Sequence, residues 1–197
     1  MPDLCSKARP RERIVDTARD LFRRHGIKGV GVDAIAEAAG TNKMTLYRHF
    51  GSKDELIAEC LREQAGRAEA KWAELEAEHA EPRARLHGWV RMAAAIACGD
   101  SRGCDLANAA IEIPDENHPA RRVVEGCKRA QRDRLAALCR EAGAGDPETL
   151  ADSLSLLLEG ARVSRQSVGP DGPCARFVKA ADAIIATMTP EPAAASR

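Results

Sequence analysis

The segment from residue 32 to residue 50, VDAIAEAAGTNKMTLYRHF, constrains the fold more than any other part of this chain. Ala36, Gly40 and Leu46 have the spacing of a helix-turn-helix, in which a small residue lies where two helices touch and an apolar residue anchors the second helix. Gly40 can adopt the positive φ angle that a sharp turn between the helices requires. The segment therefore predicts two short helices joined by a glycine turn.

The second of these helices would turn polar and cationic side chains outward, and such groups contact the phosphate oxygens and base edges of DNA. Since the N-terminal part of a recognition helix lies nearest the bases, Lys43 and Thr45 are candidates for base contacts. Tyr47 and His49 are candidates for phosphate contacts. The residues predicted to contact DNA are Thr41, Asn42, Lys43, Met44, Thr45, Tyr47, Arg48, His49 and Lys53.

Several of these residues have a structural alternative that the sequence leaves open. In this alternative Tyr47 is half-buried and packs against the fold, and His49 caps a helix or braces the fold. Lys43 and Lys53 would be ordinary solvated lysines.

The run TNKMTLYRHFGSKDEL resembles the DNA-binding signature of the TetR-type transcriptional regulators. In that family the recognition helix ends in Leu-Tyr-x-His-Phe, here residues 46–50, and a Ser-Lys-x-x-Leu segment, here residues 52–56, opens the next helix. The resemblance covers about residues 8–68. Three positions depart from the family pattern, namely Gly31 in place of a Ser or Thr cap, Thr41 in place of an apolar turn residue and Met44 in place of a small residue.

The resemblance implies an all-α fold of nine helices, with a three-helix DNA-binding head joined by a long helix to a six-helix C-terminal body. It implies a helix-turn-helix domain at residues 1–56 and a ligand-binding and dimerisation domain at residues 57–189. The composition of residues 190–197 predicts a disordered tail.

In function, the resemblance implies a repressor that binds a palindromic double-stranded operator as a homodimer and is released by a small molecule. The dimer would form through the last two helices, whose apolar faces are richer than a peripheral helix needs. The alternative from the residues alone is that these two faces only close the core of one chain.

The rest of the sequence is also helical in pattern, since alanine, leucine, glutamate and arginine dominate and only 3% of the residues are aromatic. No segment has the alternation of a strand. Apolar spacing predicts helices at about residues 10–25, 32–39, 43–50, 53–80, 83–98, 104–113 and 119–142, then from residues 147 and 177. Asn42, Ser52 and Asp146 are the candidate N-caps of three of them.

Charge and apolar pattern narrow the class of protein. The chain has no net charge, but residues 1–56 hold 11 Lys and Arg against 8 Asp and Glu, and residues 57–197 hold 19 against 22. No apolar run approaches the roughly 20 residues of a membrane span, and the N-terminus lacks the apolar core of a secretory signal. We therefore expect a cytoplasmic protein whose seven scattered cysteines are reduced thiols.

The C-terminal part offers candidates for an effector site, and its few aromatic residues favour a small or aliphatic ligand over a flat aromatic one. Cys104 lies at a predicted helix start after Arg102, which favours a thiolate, and Cys98 could resolve an oxidised Cys104. The alternative is that both thiols are packed as small apolar groups. The predicted ligand-binding or sensing residues are Trp89, Met92, Cys98, Cys104 and Asn108.

Three further functions compete with a ligand-responsive repressor. Cys104 could sense electrophiles or oxidants, or could act with a distant histidine as the nucleophile of an enzyme. An architectural DNA-binding protein would need more basic charge than this chain has. No CxxC, HExxH or glycine-rich phosphate loop is present, so we predict no metal, no cofactor and no enzymatic activity. Glu112, Asp115, Glu116 and His118 surround Pro114 and could bind a cation; the alternative is that they form a solvated loop.

Overall fold

The computed structural model describes residues 9–99 and 102–190. Within these ranges the chain forms nine α-helices, one short 3₁₀ helix and no strand. The helices are α1 Pro10–His25, α2 Val32–Ala38, α3 Lys43–Phe50, α4 Lys53–Glu78, α5 Pro82–Gly99, α6 Asp105–Glu112, α7 Pro119–Glu141, α8 Pro147–Val168 and α9 Phe177–Met188.

The all-α fold of nine helices is confirmed, and the helix ends lie within about two residues of the predicted ones. The sequence pattern did not predict the 3₁₀ helix Pro173–Arg176. Four residues are too few for a helical period to show in the sequence. Residues 191–197 of the predicted disordered tail lie outside the described residues, as does Cys5. No described helix is both long enough and apolar enough to span a membrane.

Short polar side chains begin three of the helices, as their positions in the sequence predict. The Asn42 side-chain oxygen accepts a hydrogen bond from the backbone N–H of Thr45 at 2.9 Å. Ser52 Oγ accepts from the N–H of Glu55 at 3.0 Å, and Asp146 accepts from the N–H of Thr149 at 3.0 Å. Each cap satisfies a donor that the first turn of a helix leaves unpaired.

The residues pack into two units, which are described separately. The first unit contains residues 9–67 and 105–126, and the second contains residues 68–99, 102–104 and 127–190. The predicted boundary at residue 56 is a functional division and stays a prediction. By packing, residues 57–67 and α6 belong with the helix-turn-helix.

Each unit has its own apolar core. In the first unit α1, α2, α3 and the start of α4 bury their inner faces against one another. In the second unit α5, α8 and α9 pack together with parts of α4 and α7. The side chains with essentially no exposure include Ile14, Ile35, Leu46 and Leu56 in the first unit and Leu86, Leu135, Leu154 and Phe177 in the second.

The turn between α2 and α3 has the geometry that its glycine predicts. Gly40 has a φ angle of 61°. Its N–H bonds the carbonyl of Glu37 at 3.0 Å, and the N–H of Thr41 bonds the carbonyl of Ala36 at 2.9 Å. These two bonds form a Schellman motif, which closes α2 and needs a left-handed residue after the helix. The angle between α2 and α3 therefore depends on Gly40.

We expect Gly40→Ala and Gly126→Ala to change stability in opposite directions. Alanine at position 40 must adopt the left-handed conformation, which costs about 1–2 kcal/mol. Gly126 lies in the exposed part of α7 with open space where a Cβ would stand, so alanine there adds about 0.5–1 kcal/mol of stability. Urea unfolding of both variants at one protein concentration measures the difference. Equal stability of the two variants would contradict the assigned turn.

Candidate nucleic-acid interface

The recognition helix α3 is fixed by two apolar side chains on its inner side. Leu46 is completely buried and Phe50 is nearly so, and both pack in one cluster with Ile35, Ala39 and Leu56. Leu46 and Phe50 are four residues apart, which places them on the same face of a helix. The opposite face of α3 is consequently turned to solvent.

That outer face carries most of the residues predicted to contact DNA. Met44 has 79% of its surface exposed. Thr41 and Thr45 are half-buried, and Thr45 also receives the cap from Asn42. The exposed residues brought together on α3 and at its start are Asn42, Lys43, Met44, Tyr47, Arg48 and His49.

Lys43 has a carboxylate partner that DNA would have to replace. Its Nζ lies 3.2 Å from a carboxylate oxygen of Asp33, on α2. Half of the Lys43 side chain and most of the Asp33 side chain are exposed. Because an exposed ion pair of this kind contributes only about 0–1 kcal/mol, the ammonium can leave it for a base edge or a phosphate at little cost.

Lys53 is neither free nor fully solvated. Its Nζ donates to the carbonyl oxygen of Ile27 at 2.8 Å and lies 5.9 Å from the ring centre of Phe22. The ammonium thus ties the start of α4 to the connection between α1 and α2. An ammonium has three donors, so the predicted phosphate contact remains a prediction, but the alternative of an ordinary solvated lysine is wrong.

Two interactions between distant residues brace the first unit, and sequence reasoning missed them. Arg11 on α1 donates to Glu59 on α4 at 2.6 Å, and its guanidinium lies 5.4 Å from the ring centre of Phe50. The hydrogen bond from Arg11 lowers the pKa of the Glu59 carboxyl below its ordinary value. No local pattern could have revealed this pair, because its members are 48 residues apart.

The second brace uses Glu112, at the end of α6. One carboxylate oxygen accepts hydrogen bonds from the backbone N–H of Ile27 at 2.7 Å and of Lys28 at 3.3 Å. Nearby, His118 Nε2 lies 3.2 Å from a carboxylate oxygen of Asp54. Glu112, the first of the acidic residues around Pro114, therefore accepts hydrogen bonds from the backbone. The cation site suggested for this group stays a prediction.

The second unit holds a cavity of about 310 Å³ between the end of α4 and parts of α5, α7 and α8. Trp89 and Met92, both predicted to bind ligand, line it, and so does Trp72. Asn108 instead lines a smaller cavity of about 100 Å³ in the first unit. The predicted set of ligand residues therefore does not form one site.

Cys98 lies beside Cys174 in the structure. Its Sγ lies 3.3 Å from the carbonyl oxygen of Cys174, just before α9. Burial, and then the contact with the Cys174 thiol, raise the pKa of the Cys98 thiol. A raised pKa disfavours the thiolate form of Cys98, and the resolving role predicted for Cys98 stays a prediction. The role predicted for Cys104 itself stays a prediction.

Comparison with known proteins finds a matching family and relatives of similar fold. The family described as bacterial regulatory proteins, tetR family, matches residues 14–60. The HTH-type transcriptional repressor KstR2 of Rhodococcus jostii is 34% identical over 88 residues, which cover 45% of this chain and 43% of that protein. The match thus spans less than half the length of this curated relative.

Two solved structures match over most of their length. The regulator SCO4454 of Streptomyces coelicolor has a TM-score of 0.86 and 26% identity, with coverage of 92% of this chain and 96% of that one. A TetR-type regulator of Streptomyces avermitilis has a TM-score of 0.71 and 33% identity, with coverage of 88% and 98%. The likeness therefore extends well beyond the helix-turn-helix.

We expect Cys60 and Cys139 to resist alkylation by iodoacetamide in the native protein at about pH 8. Burial raises the pKa of each thiol to about 12, which leaves on the order of one thiolate in ten thousand at that pH. Peptide mass spectrometry measures the modification, with the urea-unfolded protein as the control in which both residues react. Rapid labelling of either residue in the native state would contradict its buried position.

Proposed function

Since the chain belongs to the TetR family of bacterial transcriptional regulators, we propose that it binds a palindromic operator as a homodimer and is released by a small molecule. The observation that carries this proposal is the exposed polar face of α3 above its two buried anchors. Such a regulator must act where the DNA is, so a cytoplasmic location is part of the proposal.

At the operator, α3 enters the major groove with its N-terminal end nearest the bases. Lys43 and Thr45 contact bases, and Met44 packs on a thymine methyl group. Tyr47, Arg48 and His49 contact phosphate oxygens, which position the helix without reading sequence. One such head makes few phosphate contacts, so useful affinity requires a second head on the same DNA.

The second head comes from a twofold partner that binds through α8 and α9. The buried faces of these helices close the core of one chain, with Leu154, Phe177 and Ile185 among their inward side chains. Outside this core α8 leaves Leu156, which also borders the cavity, and Val163 exposed, by 74% and 61%. The two are seven residues, or two turns, apart and therefore on the same side of α8, and large apolar side chains exposed together are typical of an interface. A twofold dimer then reads an inverted repeat.

The effector binds in the cavity of the second unit. A ligand shifts an equilibrium only by its difference in affinity for the two states. The effector therefore favours an arrangement of the dimer in which the two α3 helices no longer match the spacing of the half-sites. Coupling of this kind is reciprocal, so operator DNA must also weaken effector binding.

Selection from random DNA should return an inverted repeat, and Arg48→Gln should bind that repeat more weakly. Loss of one phosphate contact per head lowers the slope of log affinity against log salt by about one for each contact. The measurement is fluorescence anisotropy over a series of salt concentrations. Arg140→Gln, which removes an exposed arginine of the second unit that pairs with Glu148, serves as the matched control and should keep the original slope. An unchanged slope for Arg48→Gln would argue against the contact.

We expect Val163→Asp to weaken the dimer by at least about tenfold in dissociation constant, because a carboxylate buried without a partner is costly. Sedimentation velocity over a range of concentrations measures the change. Ile111→Asp is the control, since Ile111 is 80% exposed and lies on α6 in the first unit. If both variants associate like the original protein, α8 is not the dimer interface.

A further inference from the structure

We propose that the cavity of the second unit takes a small organic acid, with an apolar body and a single carboxylate. This inference rests on the ligand-responsive function proposed above and names the chemistry of its effector. The volume of about 310 Å³ is at the lower end of the roughly 300–1,000 Å³ usual for ligand sites. A compact ligand is therefore required.

The inner wall of the cavity is suited to the apolar body of such a ligand. Trp72 and Trp89 are both almost fully buried and both line the space, together with Met92, Ile96 and Leu135. Trp72 is also held in place by Arg134, whose guanidinium lies 4.8 Å from the ring centre. Aromatic and aliphatic walls of this kind bind hydrocarbon by removing it from water.

The charged part of the lining is unbalanced. Four of the described lining residues are cations and one is a carboxylate, and these are Lys71, Lys128, Arg132, Arg162 and Glu159. An excess of one sign around a partly enclosed, low-dielectric space favours a ligand of the opposite sign.

Ion pairs within the unit remove part of this excess. Arg132 is neutralised by Asp152, with hydrogen bonds of 2.8 and 3.2 Å. Lys71 is exposed to solvent, where its charge is screened. The positive charge available to a ligand therefore lies on Lys128 and Arg162.

Lys128 and Arg162 share one carboxylate. Glu159 accepts from Lys128 Nζ at 2.5 Å and from Arg162 Nη1 at 2.9 Å. Among the ion pairs of the described residues, two cations on one carboxylate leave one positive charge without a carboxylate partner. Only 16% of the Arg162 side chain is exposed, so solvent compensates that charge poorly.

A monoanion matches this site better than the alternatives. A carboxylate supplies one negative charge and two oxygens that fit the planar donors of a guanidinium. A neutral ligand would leave the excess charge as it is, and a cation would add to it. A phosphate dianion would bring more charge than the shared pair leaves uncompensated.

The protein carries its own probe for this test, because Trp72 and Trp89 are its two tryptophans and both line the cavity. Octanoate added to the purified full-length protein should change the tryptophan emission in a saturable way. Octanamide, of equal length but uncharged, should bind at least about tenfold more weakly, the ratio expected for losing one charge-assisted contact. Equal binding of octanamide, or saturable binding of octyltrimethylammonium in place of octanoate, would overturn the proposal. Failure of octanoate, hexanoate and benzoate alike to change the emission would overturn it as well.

Substitutions then locate the acid. Arg162→Gln should weaken octanoate about tenfold and leave octanamide within about twofold. Arg140→Gln, whose arginine lies outside the cavity lining, should bind both as the original protein does. Lys128→Gln provides a second test in case Arg162→Gln unfolds, which circular dichroism and thermal unfolding would show. If every one of these two variants that folds keeps the original affinity for octanoate, the acid does not bind at Lys128 and Arg162.

The operator complex separates this inference from the function on which it rests. If octanoate binds as described but leaves the operator complex intact, the ligand class stands and the ligand-responsive function is wrong. If only neutral or cationic compounds bind at the tryptophans and release the operator, the function stands and the organic acid is wrong.

Discussion

The burial of Leu46 and Phe50 beneath α3 is the constraint on which the DNA-facing surface depends. A helix of eight residues has little stability by itself. Its orientation therefore comes from these two anchors and from the turn at Gly40, which sets where α3 leaves α2. Because the inner face of α3 is fixed, the side chains of Lys43, Met44 and Arg48 must lie on its outer face.

The parts of this structure that the sequence predicted are those decided within a few residues. Asn42, Ser52 and Asp146 cap helices because each bonds an N–H three positions along the chain. Gly40 takes a positive φ angle because a tight turn requires it. The outward face of α3 follows from helical periodicity once Leu46 is assigned to the core. Helix number, helix ends and most of the exposed set are consequences of such local rules.

The parts that the sequence could not predict are set by partners far along the chain. Lys53 donates a hydrogen bond to the carbonyl oxygen of Ile27, and Cys98 lies against Cys174, 76 residues away. The effector residues were chosen by type and approximate position, so Asn108 was grouped with Trp89 although the two lie in different units. The charge of the cavity was hidden for the same reason, because only packing shows that Lys128 and Arg162 share Glu159.

The contact of Glu112 with the backbone of Ile27 and Lys28 has a consequence for how related sequences can differ. Its two donors are main-chain N–H groups, which every residue except proline supplies. Lys28 is exposed, so position 28 can change its side chain without weakening the contact, provided that it does not become proline. Ile27 is buried, so packing also constrains position 27. Position 112 has no such freedom, since a shorter or apolar side chain would remove the carboxylate oxygen that accepts from both N–H groups. Across an alignment we therefore expect position 112 to stay acidic while position 28 varies. Covariation of residue types would then miss this contact, because only one of its two sides depends on a side chain.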